Sequence, residues 1–312
     1  MPALVYHTGA LGDFITTIPA LRFWKTRHKN ERLVLLGNTS MGAFAKDIKV
    51  VDDYLDVNSP KAFLPLFFEE LSPEIDRILS PFQTAILFAA PDSPVIGNIR
   101  QSDILSLHWQ PPFPATADKI HITDYHLSLF IDPQLLDPEA RRPHITPSAA
   151  SIKESFTVIH DRCFPVALHP GSGSGKKNWP FERYQSLADA VRKKGVPVAW
   201  FIGPADDAFS VPSEDLIVLN QPLALCAALL SRCRAFIGND SGIAHLAASV
   251  GCRTVALFGP SDPMVWSPRG RDVRVIYKNL PCSPCHRSPA APPSCDNGCL
   301  TAITVEEVLE AI

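Results

Sequence analysis

Three short segments carry residue types and spacings suited to chemistry on a charged ligand. In His7-Thr8-Gly9-Ala10-Leu11-Gly12-Asp13, two glycines allow a tight turn out of an apolar run, and Asp13 stands where a helix over Phe14–His28 is predicted to begin. Its carboxylate has two readings. It is either a helix-start acid answering the helix dipole, worth about 0.5–2 kcal/mol, or a carboxylate that faces a ligand cleft. The second segment, His169 to Pro180, contains Gly171-Ser172-Gly173-Ser174-Gly175 followed by Lys176 and Lys177. Small residues let backbone N–H groups approach an anion and the lysines add positive charge, although the same composition also suits a solvated surface loop. The third, Gly238-Asn239-Asp240-Ser241-Gly242-Ile243-Ala244-His245, opens a helix running to Val250. Its first N–H groups have no partner within the helix and carry the positive dipole end, which suits a pyrophosphate. His245 falls one turn after Ser241, and the alternative reading is a structural cap with a core histidine. A further turn, Phe258-Gly259-Pro260-Ser261-Asp262-Pro263, is expected to line the same cleft.

Several familiar patterns are excluded. The first loop fails the G-x-G-x-x-G spacing of a dinucleotide site, and Lys176 is followed by Lys177 where a Walker A loop needs Ser or Thr. Ser241 lacks the G-x-S-x-G elbow of a hydrolase nucleophile.

Loops of this kind must be held by strands. Ala3–Tyr6, Arg32–Leu36 and Thr84–Phe88 read as strands in the first half, and Val166–His169, Val198–Ile202, Ile217–Leu219, Ala235–Gly238 and Thr254–Phe258 in the second. Helical periodicity separates them, as in Glu182–Lys194 and Leu223–Arg232, while Pro60 to Pro81 is helix-like but interrupted by proline. Such alternation predicts βαβ units on a mainly parallel sheet, with ligands beyond the carboxyl ends of the strands. The Pro- and charge-rich stretch Asp137–Pro147 is the expected linker. It gives an α/β protein of two Rossmann-like doubly wound domains, residues 1–147 and 148–312.

Composition bounds the partners. With 312 residues the chain exceeds what one hydrophobic core usually fills, and 46% apolar against 20% charged residues fits a globular protein. A net charge of -3 provides no dense basic surface for a phosphate backbone, which argues against nucleic acid. The N-terminus lacks a basic and then apolar leader, and no stretch approaches the roughly 18 apolar residues of a membrane span. A cytoplasmic location is therefore expected.

Taken together, the loops resemble glycosyltransferase family 9, the ADP-heptose:lipopolysaccharide heptosyltransferases. The family's L-G-D before a proline-containing helix is similar to Leu11-Gly12-Asp13 followed by Ile18-Pro19-Ala20-Leu21. Its H-P-G with a downstream K-x-W-P is similar to His169-Pro170-Gly171 and Lys177-Asn178-Trp179-Pro180. Its D-(S/T)-G-x-x-H-L-A-A and F-G-P-(S/T)-D-P motifs are matched by Asp240 to Ala248 and Phe258 to Pro263.

The resemblance implies the GT-B fold, two such domains facing across a cleft, with an acceptor-side domain over 1–147 and a donor-binding domain over 148–312. It also implies a metal-independent, inverting transfer of a heptosyl or related sugar, from a donor expected to be ADP-heptose, to a lipid-linked or oligosaccharide acceptor of the lipopolysaccharide core. No cofactor is implied. Catalytic roles carry over to Asp13, as general base, and Lys177. Donor binding carries over to Gly12, Asp207, Asp240, Ser241, Gly242 and His245, with Asp207 at the nucleotide ribose. A nucleotide-sugar epimerase of the same architecture and a non-catalytic nucleotide-sugar-binding protein are the alternatives.

Two features stand outside that resemblance. Cys282, Cys285, Cys295 and Cys299 have spacings that could supply four thiolates to a structural zinc, or they are thiols without a metal. Cys163, Cys226, Cys233 and Cys252 stand singly in apolar stretches and read as small buried hydrophobes. The cluster Phe23-Trp24-Lys25-Thr26-Arg27-His28-Lys29 closes the first helix. It could contact acceptor phosphates or the inner membrane surface, or be a solvated helix end whose cations complement the dipole.

Overall fold

The computed structural model describes residues 2–58, 66, 73–115, 117–160, 164–204, 209–285 and 296–312. The chain divides into two compact units, Met1–Arg141 and Arg142–Ile312, and the division falls inside the Pro-rich stretch 137–147.

In the first unit, β1 (Ala3–Tyr6), α1 (Leu11–Arg27), β2 (Leu33–Gly37), α2 (Thr39–Asp47), β3 (Asp53–Asp56), α3 (Pro73–Leu79), β4 (Thr84–Phe88), α4 (Pro94–Gln101), β5 (Ser106–Gln110) and α5 (Ile122–Leu127) alternate along the chain. The five strands form a wholly parallel sheet in the order β3-β2-β1-β4-β5. Ala3, Leu4 and Val5 are fully buried because β1 is central and covered on both faces, the pattern of parallel sheets. Chain direction across the sheet reverses between β1 and β4. The crevice at their carboxyl ends is the switch point where ligands of open α/β sheets bind. Near the end of the unit, the Arg141 guanidinium forks onto the buried Asp124 carboxylate, through Nε to Oδ1 at 2.9 Å and a second bond to Oδ2. The pairing keeps that charge neutralised.

The second unit contains α6 (Ala149–Ser155), β6 (Val166–His169), α7 (Phe181–Lys193), β7 (Val198–Ile202), β8 (Leu216–Leu219), α8 (Leu223–Leu230), β9 (Ala235–Asn239), α9 (Gly242–Ser249), β10 (Thr254–Phe258), α10 (Pro263–Trp266), β11 (Val273–Tyr277), α11 (Gly298–Thr301) and α12 (Val305–Glu310). Its parallel sheet has the order β11-β10-β9-β6-β7-β8, which puts the switch point between β6 and β9. Trp179, Tyr184 and Trp200 fill the core together with Leu300, Ile303 and Val308. The C-terminal helices are thus built into this unit, and the Trp179 indole donates to the Ile303 carbonyl at 3.0 Å.

Two expectations are revised. Helix α1 starts at Leu11, not Phe14, because the backbone turns helical directly after Ala10. Edge strands β3, β5 and β11 lie outside the predicted set. Their sequences are polar or half-exposed, so they lack the apolar run of a central strand.

Among the described residues no helix is long and apolar enough to cross a membrane. Nor does any group of three or more His, Cys, Asp or Glu side chains there suit a metal ion. Cys295 and Cys163 lie outside the described residues. Cys282 is exposed, whereas Cys299 is packed in the apolar core. Cys226, Cys233 and Cys252 are buried, as small hydrophobes would be.

Candidate functional site

The switch point of the second unit gathers Lys177, Asp240, Ser241, Gly242 and His245. The centre of the assembly is a residue given no role above. Asn239, the last residue of β9 and fully buried, donates through Nδ2 to the Pro170 carbonyl at 2.7 Å and the Gly171 carbonyl at 3.3 Å. Its Oδ1 accepts from the Trp179 backbone N–H at 2.9 Å and the Tyr184 hydroxyl at 3.1 Å. One amide therefore fastens both ends of the loop after β6 to the end of β9. The loop braces itself between those anchors, the Ser172 hydroxyl contacting the Ser174 carbonyl and Asn178 Oδ1 at 2.7 Å each. Gly238 keeps the two strand ends close, since a Cβ there would meet Phe236 at 2.6 Å and the His169 carbonyl at 3.3 Å.

That bracing sets Lys177. Its Nζ donates to Asp240 Oδ2 at 2.8 Å, with both side chains largely shielded from solvent. Asp240 is therefore a partner for the lysine, and the residue capping α9 is Ser241, whose Oγ accepts from the Ala244 N–H at 3.3 Å. The N–H groups of Gly242 and Ile243 lie in the first turn, where intrahelical partners are missing. His245 is buried, and burial lowers its pKa to about 4, with Asp240 opposing that shift and Lys177 reinforcing it. The imidazole is neutral near pH 7 and offers a hydrogen bond without a fixed charge. An ammonium, two or three helix-start amides and a neutral imidazole suit a diphosphate. Ser261, in the following turn, is 1% exposed and its hydroxyl has no partner among the described residues.

Gly12 and Asp13 belong to the first unit, at the carboxyl end of β1. Asp13 occupies the third position of α1, and its Oδ2 accepts from the Ala10 N–H at 3.1 Å, so it does serve as an acid of the first helical turn. It also lines a pocket of about 300 Å³ with His7, Thr8, Phe88, Ser93 and Phe113. Gly9 leaves room there, since a Cβ would stand a tight 3.0 Å from the His7 ring and 3.1 Å from the Asp13 carboxylate. His7 is buried edge-on to Phe14 and Phe88, and burial lowers its pKa to about 4 against a hydrogen bond with the Asp13 backbone. Asp207 lies outside the described residues.

Asn239 and His7 were the residues that spacing could not single out. A polar side chain ending an otherwise apolar strand is the available signal for Asn239, since a buried amide must find partners.

The sequence pattern of glycosyltransferase family 9 (heptosyltransferase) matches residues 80–293, more than half of the chain. Lipopolysaccharide heptosyltransferase 2 of Salmonella typhimurium is 34% identical over 125 residues, which cover 36% of this chain and 35% of that protein. The chain thus spans about a third of that curated relative. A glycosyl transferase family 9 structure from Veillonella parvula superposes with a TM-score of 0.76 at 19% identity, over 99% of this chain and 95% of that one. The E. coli ADP-heptose LPS heptosyltransferase II gives 0.71 at 17% identity, over 100% and 97%. At these identities the structural likeness is one of fold.

Proposed function

The chain belongs to glycosyltransferase family 9, the heptosyltransferases, and we propose accordingly that it moves a heptosyl or related sugar from ADP-heptose to a hydroxyl of a lipopolysaccharide-core-like acceptor. The transfer inverts the anomeric centre and needs no metal ion or cofactor. The observation that carries this reading is the braced anion site at the β6/β9 switch point, with Lys177 Nζ on Asp240 and the first turn of α9 beside it.

In the proposed reaction the acceptor oxygen attacks the sugar's anomeric carbon while Asp13 takes the hydroxyl proton. The carbon–oxygen bond to the diphosphate breaks on the opposite face, and the electron pair leaves with ADP. Lys177 and the α9 amides receive the developing charge, which replaces protonation of the leaving group. In this reading Asp13 and Lys177 act on the same donor molecule. Asp207 is assigned to the nucleotide ribose, and a lipid-linked acceptor would bring the protein to the inner membrane surface from the cytoplasm.

Titration of ADP, UDP, GDP and CMP into the purified protein, followed by transfer assays with ADP-heptose, a core glycan acceptor and excess chelator, tests this reading. Preference for ADP and acceptor-dependent turnover in chelator are expected. Preference for UDP, or conversion of a nucleotide sugar with no acceptor present, overturns it.

A further inference from the structure

The aromatic and basic cluster at the end of α1 does not protrude as a membrane wedge would. Trp24 is 1% exposed, and its ring stacks on His28 with centroids 4.2 Å apart and planes 14° from parallel. These two, with Phe23, Arg27, His108 of β5 and Phe130, wall a pocket of about 350 Å³. It opens at the far end of α1 from Asp13, roughly 20 Å away by helical rise over the residues between Asp13 and Arg27.

The lining has a consistent chemistry. Arg27 lies over the Phe23 ring at 5.2 Å, which holds the guanidinium beside an aromatic wall. Lys25 of the same turn is neutralised by Asp52 at 3.1 Å, whereas among the described residues Arg27 has no carboxylate partner and no acid lines the pocket. His28 Nδ1 is bonded to the Trp24 carbonyl at 3.0 Å, and His108 presents its ring to Phe130 at 5.3 Å. The buried Trp24 Nε1 has no hydrogen-bond partner among the described residues. Flat apolar walls with one uncompensated guanidinium suit a flat apolar body bearing an anionic head, which Arg can take bidentately. The volume sits at the lower end of small-ligand pockets, ~300–1,000 Å³, the size of a fused-ring acid.

We propose that this pocket is a binding site for a small aromatic carboxylate, held by Arg27 at its head and by Phe23, Trp24 and Phe130 along its ring. The site is separate from the proposed sugar-transfer site and does not depend on it.

The test uses 1-naphthoate as probe and the indole N–H resonances of the five tryptophans in the full chain as readout, with Trp24 assigned through Trp24→Phe. A saturable shift confined to Trp24 is expected. Affinity should fall at least fivefold in Arg27→Gln, a change at an exposed position, and for the neutral 1-naphthalenemethanol. Absence of a saturable Trp24 shift overturns the proposal. So does equal affinity for the neutral analogue, or Arg27-dependent binding to anionic phospholipid vesicles without binding of naphthoate.

Discussion

Lys177 Nζ and Asp240 Oδ2 stand 2.8 Å apart, a contact that ties the loop after β6 to the residue following β9. The pair leaves little net charge, so an incoming anion must share the ammonium with a carboxylate already holding it. Removing each partner should have opposite effects on anion binding. Lys177→Met deletes the cation and strands a shielded carboxylate, so ADP affinity should drop about tenfold or more, in keeping with the ~1.5–3 kcal/mol of a hydrogen bond to a charged group. Asp240→Asn releases the ammonium and should hold ADP at least as tightly as the parent. Calorimetric titration of both variants decides it, and weaker binding by Asp240→Asn would mean that the carboxylate positions the lysine more than it neutralises it.

Asp13 has an observed place in the helix start and a proposed one as general base, and one substitution can separate them. Its Oδ2 bond to the Ala10 N–H belongs to helix capping, and an asparagine oxygen can still accept it. Asp13→Asn should therefore cost at most about 1 kcal/mol of stability, leave the ADP dissociation constant unchanged, and lower the transfer rate by at least a hundredfold, the lower end of what a general base contributes, ~10²–10⁴. Transfer rate, ADP affinity and melting temperature measured on one preparation give the answer. A variant that melts and binds normally and still transfers at the parental rate removes Asp13 from the chemistry.

The match between sequence and structure follows burial. Val198–Ile202 and Thr254–Phe258 were legible residue for residue because each is a wholly buried run, where hydrophobicity alone marks the strand. Asp53–Asp56 was invisible because its residues are half-exposed and two of the four are acids; only pairing with β2 makes it a strand. The loops of the candidate site were legible from their small residues and charges. What joins them was not, because the Lys177–Asp240 contact spans 63 residues and depends on the order in which strands assemble. The position of Asp13 also needed the structure, since the predicted helix start was three residues late and hid its bond to Ala10.

Asn239 is the brace of the loop after β6. Its amide makes two bonds to the carbonyls of Pro170 and Gly171 and accepts two from Trp179 and Tyr184. Asn239→Leu is close in size but leaves those buried groups unpaired, at about 1–3 kcal/mol for each group left unsatisfied. The variant should unfold at least 3 kcal/mol more easily, an order-of-magnitude figure from two or three such groups. In the fraction still folded, ADP affinity should fall because Lys177 loses its anchor. Urea unfolding and ADP titration together test this, and a destabilised protein with parental ADP affinity would show that the loop keeps its shape without the amide.

Acid sensitivity should come from three buried imidazoles, His126 and His7 of the first unit and His245 of the second. Burial lowers His126 to about 3, with His7 and His121 nearby adding to that shift, and lowers His7 and His245 to about 4. His126 packs edge-on against Phe88 at 5.1 Å, and among the described residues neither ring nitrogen has a partner. In the unfolded chain all three histidines return to about 6.5. Between that value and the depressed folded ones the unfolded state binds more protons, so stability is present at neutral pH and is lost as pH falls through roughly 6.5 toward 4. At pH 5 each ring would account for about 2 kcal/mol of lost stability by this linkage. His126→Leu removes one of the three, so the variant should lose about two-thirds as much stability as the parent between pH 7.5 and pH 5, read from urea midpoints at the two pH values. An unchanged acid loss in His126→Leu would place the sensitivity elsewhere in the chain.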